Sequence, residues 1–235
     1  MSNPYFRFKQ FTVYHDLCAM KVGVDGVVLG AWADCRNIRC GLDVGTGSGL
    51  IALMLAQRSN APIHAIDIDE NACKQAEINF NNSPFRDRLS IENCAFQDFH
   101  TPHKYDLIVS NPPYFTQSLK SPDKNRSLAR HDEHLPLEVL IEKSASLLSP
   151  QGKAAFIVPF DRWEKAHATA VENRLFLCRK ALVSTLQNRP PKRVLLEYSF
   201  IDQSLTETGF YIGATKQSQS DEYRALTEGF YPGDF

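Results

Sequence analysis

The sequence predicts an α/β fold in which helices cover both faces of a doubly wound, seven-stranded, mostly parallel sheet with one antiparallel edge strand. Three observations support this prediction. Short apolar runs alternate with helix-length segments along most of the 235 residues. A glycine-rich turn separates the first core run from the helix after it, and a rigid polar turn ends the fourth run. Turns at the carboxyl ends of parallel strands are where open α/β sheets bind ligands.

The glycine-rich turn lies between an apolar strand and the apolar helix Leu50 to Arg58. Its candidate cofactor-binding residues form a D-x-G-x-G-x-G pattern: Asp43, Gly45, Gly47 and Gly49. Glycine lets the backbone turn sharply and approach a ligand closely. The spacing differs from the dinucleotide fingerprint, and no P-loop lysine follows. The pattern is weak alone, so its position between a strand and a helix carries the prediction of a cofactor loop.

Acidic residues follow the next two strands. Asp67 ends the strand Pro62 to Ile66, about twenty residues past the glycines, which is the position of a ribose ligand. Asp69 is expected to cap the helix that follows. After the third strand, Asp98 is a candidate acceptor for the exocyclic amine of a purine cofactor, and Phe99 or Phe96 is a candidate for packing on its ring. A solvated loop carboxylate is an equally good interpretation of Asp98.

The fourth strand ends in the tetrapeptide Asn111-Pro112-Pro113-Tyr114, which follows an apolar run. Two prolines forbid both helix and ladder pairing, so the strand must stop there. The Asn111 side-chain oxygen and the Pro112 carbonyl then present two acceptors, which suit a substrate –NH2 group with two hydrogens to donate. Tyr114 offers a flat face for a planar group. The candidate catalytic residues are therefore Asn111, Pro112 and Tyr114, although Asn-Pro is also a common turn starter.

Two basic segments are candidates for substrate contact. The polar stretch after Tyr114 holds Lys120, Arg126 and Arg130, and the loop before the last predicted strand holds Arg189, Lys192 and Arg193. The first segment follows the Asn111 turn directly and is a candidate lid or substrate-contact loop, for which a solvated surface loop is an equally good interpretation. The second could grip phosphates if it faces the site, and is otherwise an exposed loop.

Composition limits the remaining classes. The chain is 43% hydrophobic and 23% charged with a net charge of −1, which is ordinary for one globular domain spanning 1–235, with 1–36 as an N-terminal extension. Six scattered cysteines without a C-x-x-C pattern indicate reduced thiols rather than disulfide bonds. No apolar run approaches the roughly 20 residues of a membrane span. His131 and His134 alone do not make a metal site, so we expect no metal. From the composition we expect a cytoplasmic monomer that does not bind a membrane.

Together these motifs resemble a class I S-adenosylmethionine-dependent methyltransferase. The resemblance implies a Rossmann-like methyltransferase fold with S-adenosylmethionine as cofactor. It implies that the glycine loop cradles the methionine part, that Asp67 binds the ribose and that Asp98 lies beside the adenine amine. Asn111-Pro112-Pro113-Tyr114 resembles the tetrapeptide of enzymes that methylate planar –NH2 nitrogens.

A closer resemblance lies outside those motifs. The segment Met20 to Trp32, together with Arg126 to Leu135, is similar to the bacterial tRNA-valine (adenine-37) N6-methyltransferase family. The resemblance covers nearly the whole chain. It implies a cytoplasmic enzyme whose partner is tRNA and whose target is the adenine next to a valine anticodon.

Alternative substrates and one alternative class stay open at this point. A guanine amine in ribosomal RNA or a release-factor glutamine would suit the same acceptors. The glutamine enzymes carry a sizeable helical domain ahead of the glycine loop, whereas only about 40 residues precede it here. The alternative from another class is a non-catalytic RNA-binding or assembly module that binds S-adenosylmethionine, against which the intact Asn111-Pro112-Pro113-Tyr114 argues.

Overall fold

The computed structural model describes residues 3–18, 21–112, 135–215 and 218–233. Within these ranges a two-stranded hairpin and an eight-stranded sheet are flanked by helices. The strands are β1 (Tyr5–Arg7), β2 (Thr12–Tyr14), β3 (Gly41–Val44), β4 (Ile63–Asp67), β5 (Leu89–Asn93), β6 (Tyr105–Ser110), β7 (Leu148–Pro159), β8 (Phe176–Leu186), β9 (Arg193–Ser199) and β10 (Thr206–Gly213). The helices are α1 (Val24–Trp32), α2 (Leu50–Arg58), α3 (Glu70–Asn81), α4 (Leu137–Leu147), α5 (Trp163–Glu172) and α6 (Asp221–Thr227).

The large sheet has the strand order β10-β8-β9-β7-β6-β3-β4-β5. All its neighbours are parallel except β9, which pairs antiparallel with both β7 and β8. The doubly wound α/β class is confirmed. Two details of the prediction are corrected, because the sheet has eight strands rather than seven and the antiparallel strand is internal rather than at an edge.

The strand order places a ligand crevice next to β3. From β3 the chain adds β4 and β5 on one side, and then returns to add β6 on the other. The helices that leave these strands therefore lie on opposite faces, and a crevice opens between β3 and β6 at their carboxyl ends. Leu107, Ile108 and Val109 of β6 are fully buried, as a central parallel strand requires.

Small residues let α1 approach α2 closely. A Cβ at Gly30 would lie 2.7 Å from the Met54 sulfur, and a Cβ at Gly26 would lie 3.1 Å from Leu50 Cδ2. Both glycines belong to α1, and both partners belong to α2, so the two helices make contact along a glycine face. This packing brings the first turn of α1 to the crevice beside β3 and β6.

The hairpin formed by β1 and β2 is held against the sheet by α3. The fully buried Asn79 accepts from the Tyr14 amide at 2.9 Å, and its amide group donates to the carbonyls of Tyr14 and Ser48 at 2.8 Å each. One side chain therefore joins the hairpin to the glycine-rich loop. No helix in the described ranges is long and apolar enough to cross a membrane.

Candidate active site

A cavity of about 430 Å³ opens at the carboxyl edge of the sheet, where β3 and β6 end. Its volume lies within the roughly 300–1,000 Å³ of small-molecule sites. The first turn of α1 and the residues after β4, β5 and β6 complete its walls. The cavity brings together five of the candidate cofactor and catalytic residues: Gly45, Gly47, Asp67, Asn111 and Pro112.

Two of the predicted glycines form the floor of the cavity. Gly45 and Gly47 have φ of +70° and +56°, a region that residues with a Cβ rarely adopt. A Cβ at either position would meet nothing within 4 Å, because it would project into open space. The Gly45 amide donates to the Ile66 carbonyl at 2.9 Å, which fixes the loop to the end of β4. The backbone is therefore open to close approach by a ligand.

Gly49 has a packing role. Its φ is +81°, and a Cβ there would lie 2.4 Å from Phe80 Cε1. The residue is the N-cap of α2 and does not line the cavity. Glycine is required at this position because α3 carries the Phe80 ring against the start of α2.

Asp43 lies beneath the loop rather than in the cavity. Its fully buried carboxylate accepts from the Thr46 hydroxyl at 2.6 Å and from the Ala52 amide at 3.1 Å. Burial raises the pKa of Asp43 to about 7, against the lowering effect of these two hydrogen bonds. Its other oxygen, Oδ1, has no hydrogen-bond partner in the part of the chain that is described. Asp43 thus braces the loop from below, linking its middle to the first turn of α2.

Asp67 joins the rim of the cavity to the loop. Its Oδ2 accepts from the Gly47 amide at 2.8 Å, and its Oδ1 accepts from the Asp69 amide at 2.9 Å. The carboxylate is therefore fixed in direction at the rim of the cavity. Asp69 accepts from the Asn71 amide and is the N-cap of α3, as predicted.

Asn111 and Pro112 face the glycine loop across the cavity. Ser110 Oγ donates to the Val44 carbonyl at 2.8 Å, so the end of β6 is fixed to the end of β3 just before the glycines. Asn111 is half-buried, Pro112 is buried, and both line the cavity. A Cβ at Gly26 of α1 would lie 3.9 Å from Asn111 Nδ2, so α1 packs beside this amide. The two predicted acceptors are therefore held at a fixed distance from the loop.

The second basic loop reaches the cavity through Arg193. This residue begins β9, lines the cavity and donates from Nε to Asp25 Oδ2 at 2.7 Å. Asp25 lies in the first turn of α1 and also lines the cavity. Arg189 and Lys192 are exposed in the preceding connection from β8. The antiparallel direction of β9 explains this placement, because it brings the start of that strand to the edge where the parallel strands end.

Asp98 and Phe99 do not line the cavity, and their placement beside a cofactor stays a prediction. A 3-10 turn over Phe96–Asp98 directs Asp98 to the surface, where it is exposed. Phe99 is buried in the core on the α4 side of the sheet, edge-on to His64 with ring centroids 5.4 Å apart. Phe96, the alternative to Phe99, lines the cavity, and so does Gln97.

Several predicted residues lie outside the described ranges: Tyr114, Lys120, Arg126 and Arg130. Their proposed roles stay predictions. Within the described ranges, no cluster of His, Cys, Asp and Glu could hold a metal ion.

Two thiols line the cavity, and both are neutral. Burial raises the pKa of Cys18 to about 12 and the pKa of Cys94 to about 11. The thiolate is the nucleophilic form of cysteine, so neither residue is poised for covalent chemistry near pH 7. They contribute small, polarisable surface to the cavity wall.

Comparison with known proteins decides the family. Residues 34–160 match the methyltransferase small domain. A tRNA1(Val) (adenine(37)-N6)-methyltransferase from Parabacteroides distasonis is 47% identical, covering 98% of this chain and 99% of the relative. Proteins with the same description from Phocaeicola vulgatus and Tolumonas auensis are 48% and 42% identical over 98% of this chain, and the match covers 99% and 98% of them. The chain belongs to the tRNA1(Val) (adenine(37)-N6)-methyltransferase family.

Solved structures agree on the fold of this family member. A crystal structure described as a predicted O-methyltransferase from Agrobacterium tumefaciens matches with a TM-score of 0.70 at 15% identity, covering 88% of this chain and 96% of that one. At such low identity the match concerns the fold alone. The Rossmann-like methyltransferase fold and the family predicted from the sequence are both confirmed.

Sequence reasoning missed parts of the tRNA methyltransferase cavity. Asp25 and Gly26 are not among the candidate site residues from the sequence, but both line the cavity in the first turn of α1. Their segment, Met20 to Trp32, carries the closer family resemblance. The sequence therefore marks this segment but does not show that it lines the cavity. Gln97 lacked any distinguishing pattern, because the 3-10 turn over Phe96–Asp98 that brings it to the cavity is not evident in the sequence.

Proposed function

We propose that this protein transfers a methyl group from S-adenosylmethionine to the exocyclic N6 amine of an adenine in tRNA, namely adenine 37 of a valine tRNA. The observation that carries the proposal is that Asn111 and Pro112 share one cavity with Gly45, Gly47 and Asp67. An amine-binding corner thus faces a cofactor loop. The relatives at 42–48% identity, described as enzymes of this reaction, supply the choice of substrate.

The residues present fit the cofactor. The cavity volume and the open space above Gly45 and Gly47 suit a ligand that approaches the backbone closely. Gly45 and Gly47 would hold the methionine part, and the fixed carboxylate of Asp67 would accept from the ribose hydroxyls. Phe96 and Ile68 add apolar surface to the cavity wall, which would cover the adenine ring. When bound, S-adenosylmethionine supplies an electrophilic sulfonium methyl group.

Asn111 and Pro112 would activate the adenine amine. An aromatic amine is a poor nucleophile because its lone pair is delocalised into the ring. The Asn111 side-chain oxygen and the Pro112 carbonyl would each accept one amine hydrogen, which localises the lone pair and directs it towards the methyl group. The Ser110 hydrogen bond to Val44 holds these acceptors in place relative to the glycine loop, so positioning supplies part of the acceleration. After transfer the amine is cationic and acidic, so its proton can pass to water without a strong general base.

The test is methyl transfer to tRNA from cells that lack the gene, with radiolabelled S-adenosylmethionine and mass mapping of the product. Asn111→Ala should lower kcat by about 10²- to 10³-fold, the usual effect of removing one such polar contact, and should leave cofactor binding within threefold. The control is Asn81→Ala, which removes an exposed asparagine at the end of α3. Label on guanosine or on protein, or equal rates for wild type and Asn111→Ala, would contradict the proposal. The proposed site of action is the cytoplasm. The proposed active form is the monomer, and light scattering of the purified protein would check its mass in solution.

A further inference from the structure

Phe160 follows β7 directly, at the carboxyl edge of the sheet where the cavity opens. β7 pairs with β6 up to Ser110↔Phe156, so its last residues extend past the end of β6, which Asn111 and Pro112 follow. On its other side, Pro159 pairs with Arg193, and the Phe160 amide donates to the Lys192 carbonyl at 3.0 Å. Phe160 is therefore fixed by its backbone beside the basic loop, at the same edge of the sheet as Asn111 and Pro112.

The Phe160 side chain is 40% exposed in this position. The other exposed aromatic residues among those described lie elsewhere: Tyr5, Phe6 and Tyr14 on the N-terminal hairpin, and Phe176 at the start of β8. A single exposed aromatic residue needs no explanation by itself. Phe160, however, lies beside the exposed Lys192 and next to Arg193, which lines the cavity.

An aromatic ring beside cations suits an unpaired nucleotide. Bases in loops and single strands stack on aromatic side chains, while Lys and Arg contact the phosphates. An adenine that enters the cavity to reach Asn111 must leave the stack of its neighbours, which exposes the face of an adjacent base. A flat apolar side chain at the carboxyl edge of the sheet would cover that face.

We propose that Phe160 stacks on the base of a nucleotide next to the target adenine and so selects RNA loops in which the target is unpaired. Phe160 is then a substrate-positioning residue, and Lys192 contacts the phosphate of the same nucleotide. The proposal rests on the proposed function, because it takes tRNA as the substrate. It adds a contact outside the cavity, and that contact acts on RNA affinity rather than on the methyl transfer step.

Steady-state kinetics separate this role from a structural one. Phe160→Ala should raise KM for tRNA about tenfold, which corresponds to about 1.4 kcal/mol. The same variant should keep kcat within twofold and the affinity for S-adenosylmethionine unchanged. Phe160→Trp should keep the wild-type KM, because it retains a planar face, whereas Phe160→Leu should behave like Phe160→Ala.

The chain offers a matched control. Phe176 is 43% exposed, which is nearly the exposure of Phe160, but it begins β8 at the opposite edge of the sheet. Phe176→Ala should leave KM for tRNA unchanged. Equal effects of Phe160→Ala and Phe176→Ala, or an unchanged KM in Phe160→Ala, would overturn the stacking contact.

An RNA variant then tests which nucleotide stacks. Two anticodon stem-loops are prepared, each lacking the base on one side of the target adenine. Wild type should lose about tenfold in kcat/KM on one of them, and Phe160→Ala should lose less than twofold on the same RNA, since it has already lost the contact. Parallel losses for both proteins on both RNAs would overturn the inference while leaving the proposed function intact. A wild-type protein that labels no RNA would overturn both.

Discussion

Replacing the buried Asp43 by asparagine should change how the stability of the protein depends on pH. Burial raises the pKa of Asp43 to about 7 in the folded state, whereas an aspartate in an unfolded chain has a pKa of about 3.9. The folded protein therefore binds the proton more tightly than the unfolded chain. Stability from this group is fully present below about pH 4, is lost as the pH rises towards 7, and is constant above that.

The structure sets the size of the effect. Between pH 5 and pH 8 the carboxyl group ionises in the folded protein, whereas in the unfolded chain it is already ionised. This difference lowers the unfolding free energy by about 1.36 kcal/mol per pH unit up to the folded pKa, or about 2–3 kcal/mol in all. In Asp43→Asn the side-chain oxygen can still accept from the Thr46 hydroxyl and the Ala52 amide, the two donors that Asp43 has. The amide does not titrate. The fall in unfolding free energy from pH 5 to pH 8 should therefore be about 2–3 kcal/mol smaller in the variant than in wild type.

Urea unfolding at pH 5, 6.5 and 8, followed by circular dichroism, measures this difference. All other titrating groups are shared, so their effects cancel between the two proteins. Asp202→Asn is the control because Asp202 is exposed and its substitution removes the same charge. Parallel profiles for wild type and Asp43→Asn, within about 0.5 kcal/mol, would refute the reasoning that burial governs this carboxyl.

Three further substitutions test the frame around the site. Gly49→Ala should lower the unfolding free energy by about 2–4 kcal/mol, because it combines a left-handed φ with a Cβ 2.4 Å from Phe80; the same change at Gly229, where a Cβ meets nothing within 4 Å, is the control in urea titrations. Glu197→Ala should cost about 3–5 kcal/mol, since this fully buried carboxylate faces two partly buried cations at 3.0 and 3.6 Å; a Tm within about 2 °C of wild type would contradict it. Asn79→Ala removes three hydrogen bonds and should speed amide hydrogen exchange in residues 3–18 at least tenfold; unchanged exchange there would show that another contact holds the hairpin.

The central sheet was predictable because its strands are apolar and end in distinctive residues. The apolar run of Leu107, Ile108 and Val109 predicts a buried strand, and the structure has one there. Asp69 is predicted to cap a helix, and it is the N-cap of α3. The missing eighth strand, Thr206–Gly213, has a different pattern. Its first half is exposed on an edge, and its apolar residues are only Phe210, Tyr211 and Ile212, which is shorter than the apolar runs of the central strands.

The site was predictable where backbone chemistry determines it. The sequence displays the glycines at 45 and 47 and the proline after Asn111 directly. The two glycines adopt positive φ in the structure, which is a local property of that residue type. Contacts between distant segments were not predictable, because nothing local marks them. The ion pair between Asp25 and Arg193 joins residues 168 positions apart, and it depends on the internal position of β9.

The reversed direction of β9 has a consequence for how substrate range can evolve. The connection from β8 to β9 is a short hairpin loop at the reactive edge, and both its strands are hydrogen-bonded to neighbours inside the sheet. Insertions into such a surface loop cost little stability, because the entropy of closing a loop grows slowly with its length. New recognition segments can therefore be added beside the target base while the methyl-donor cradle stays unaltered. We expect homologues with other acceptors to differ first in the length of this hairpin.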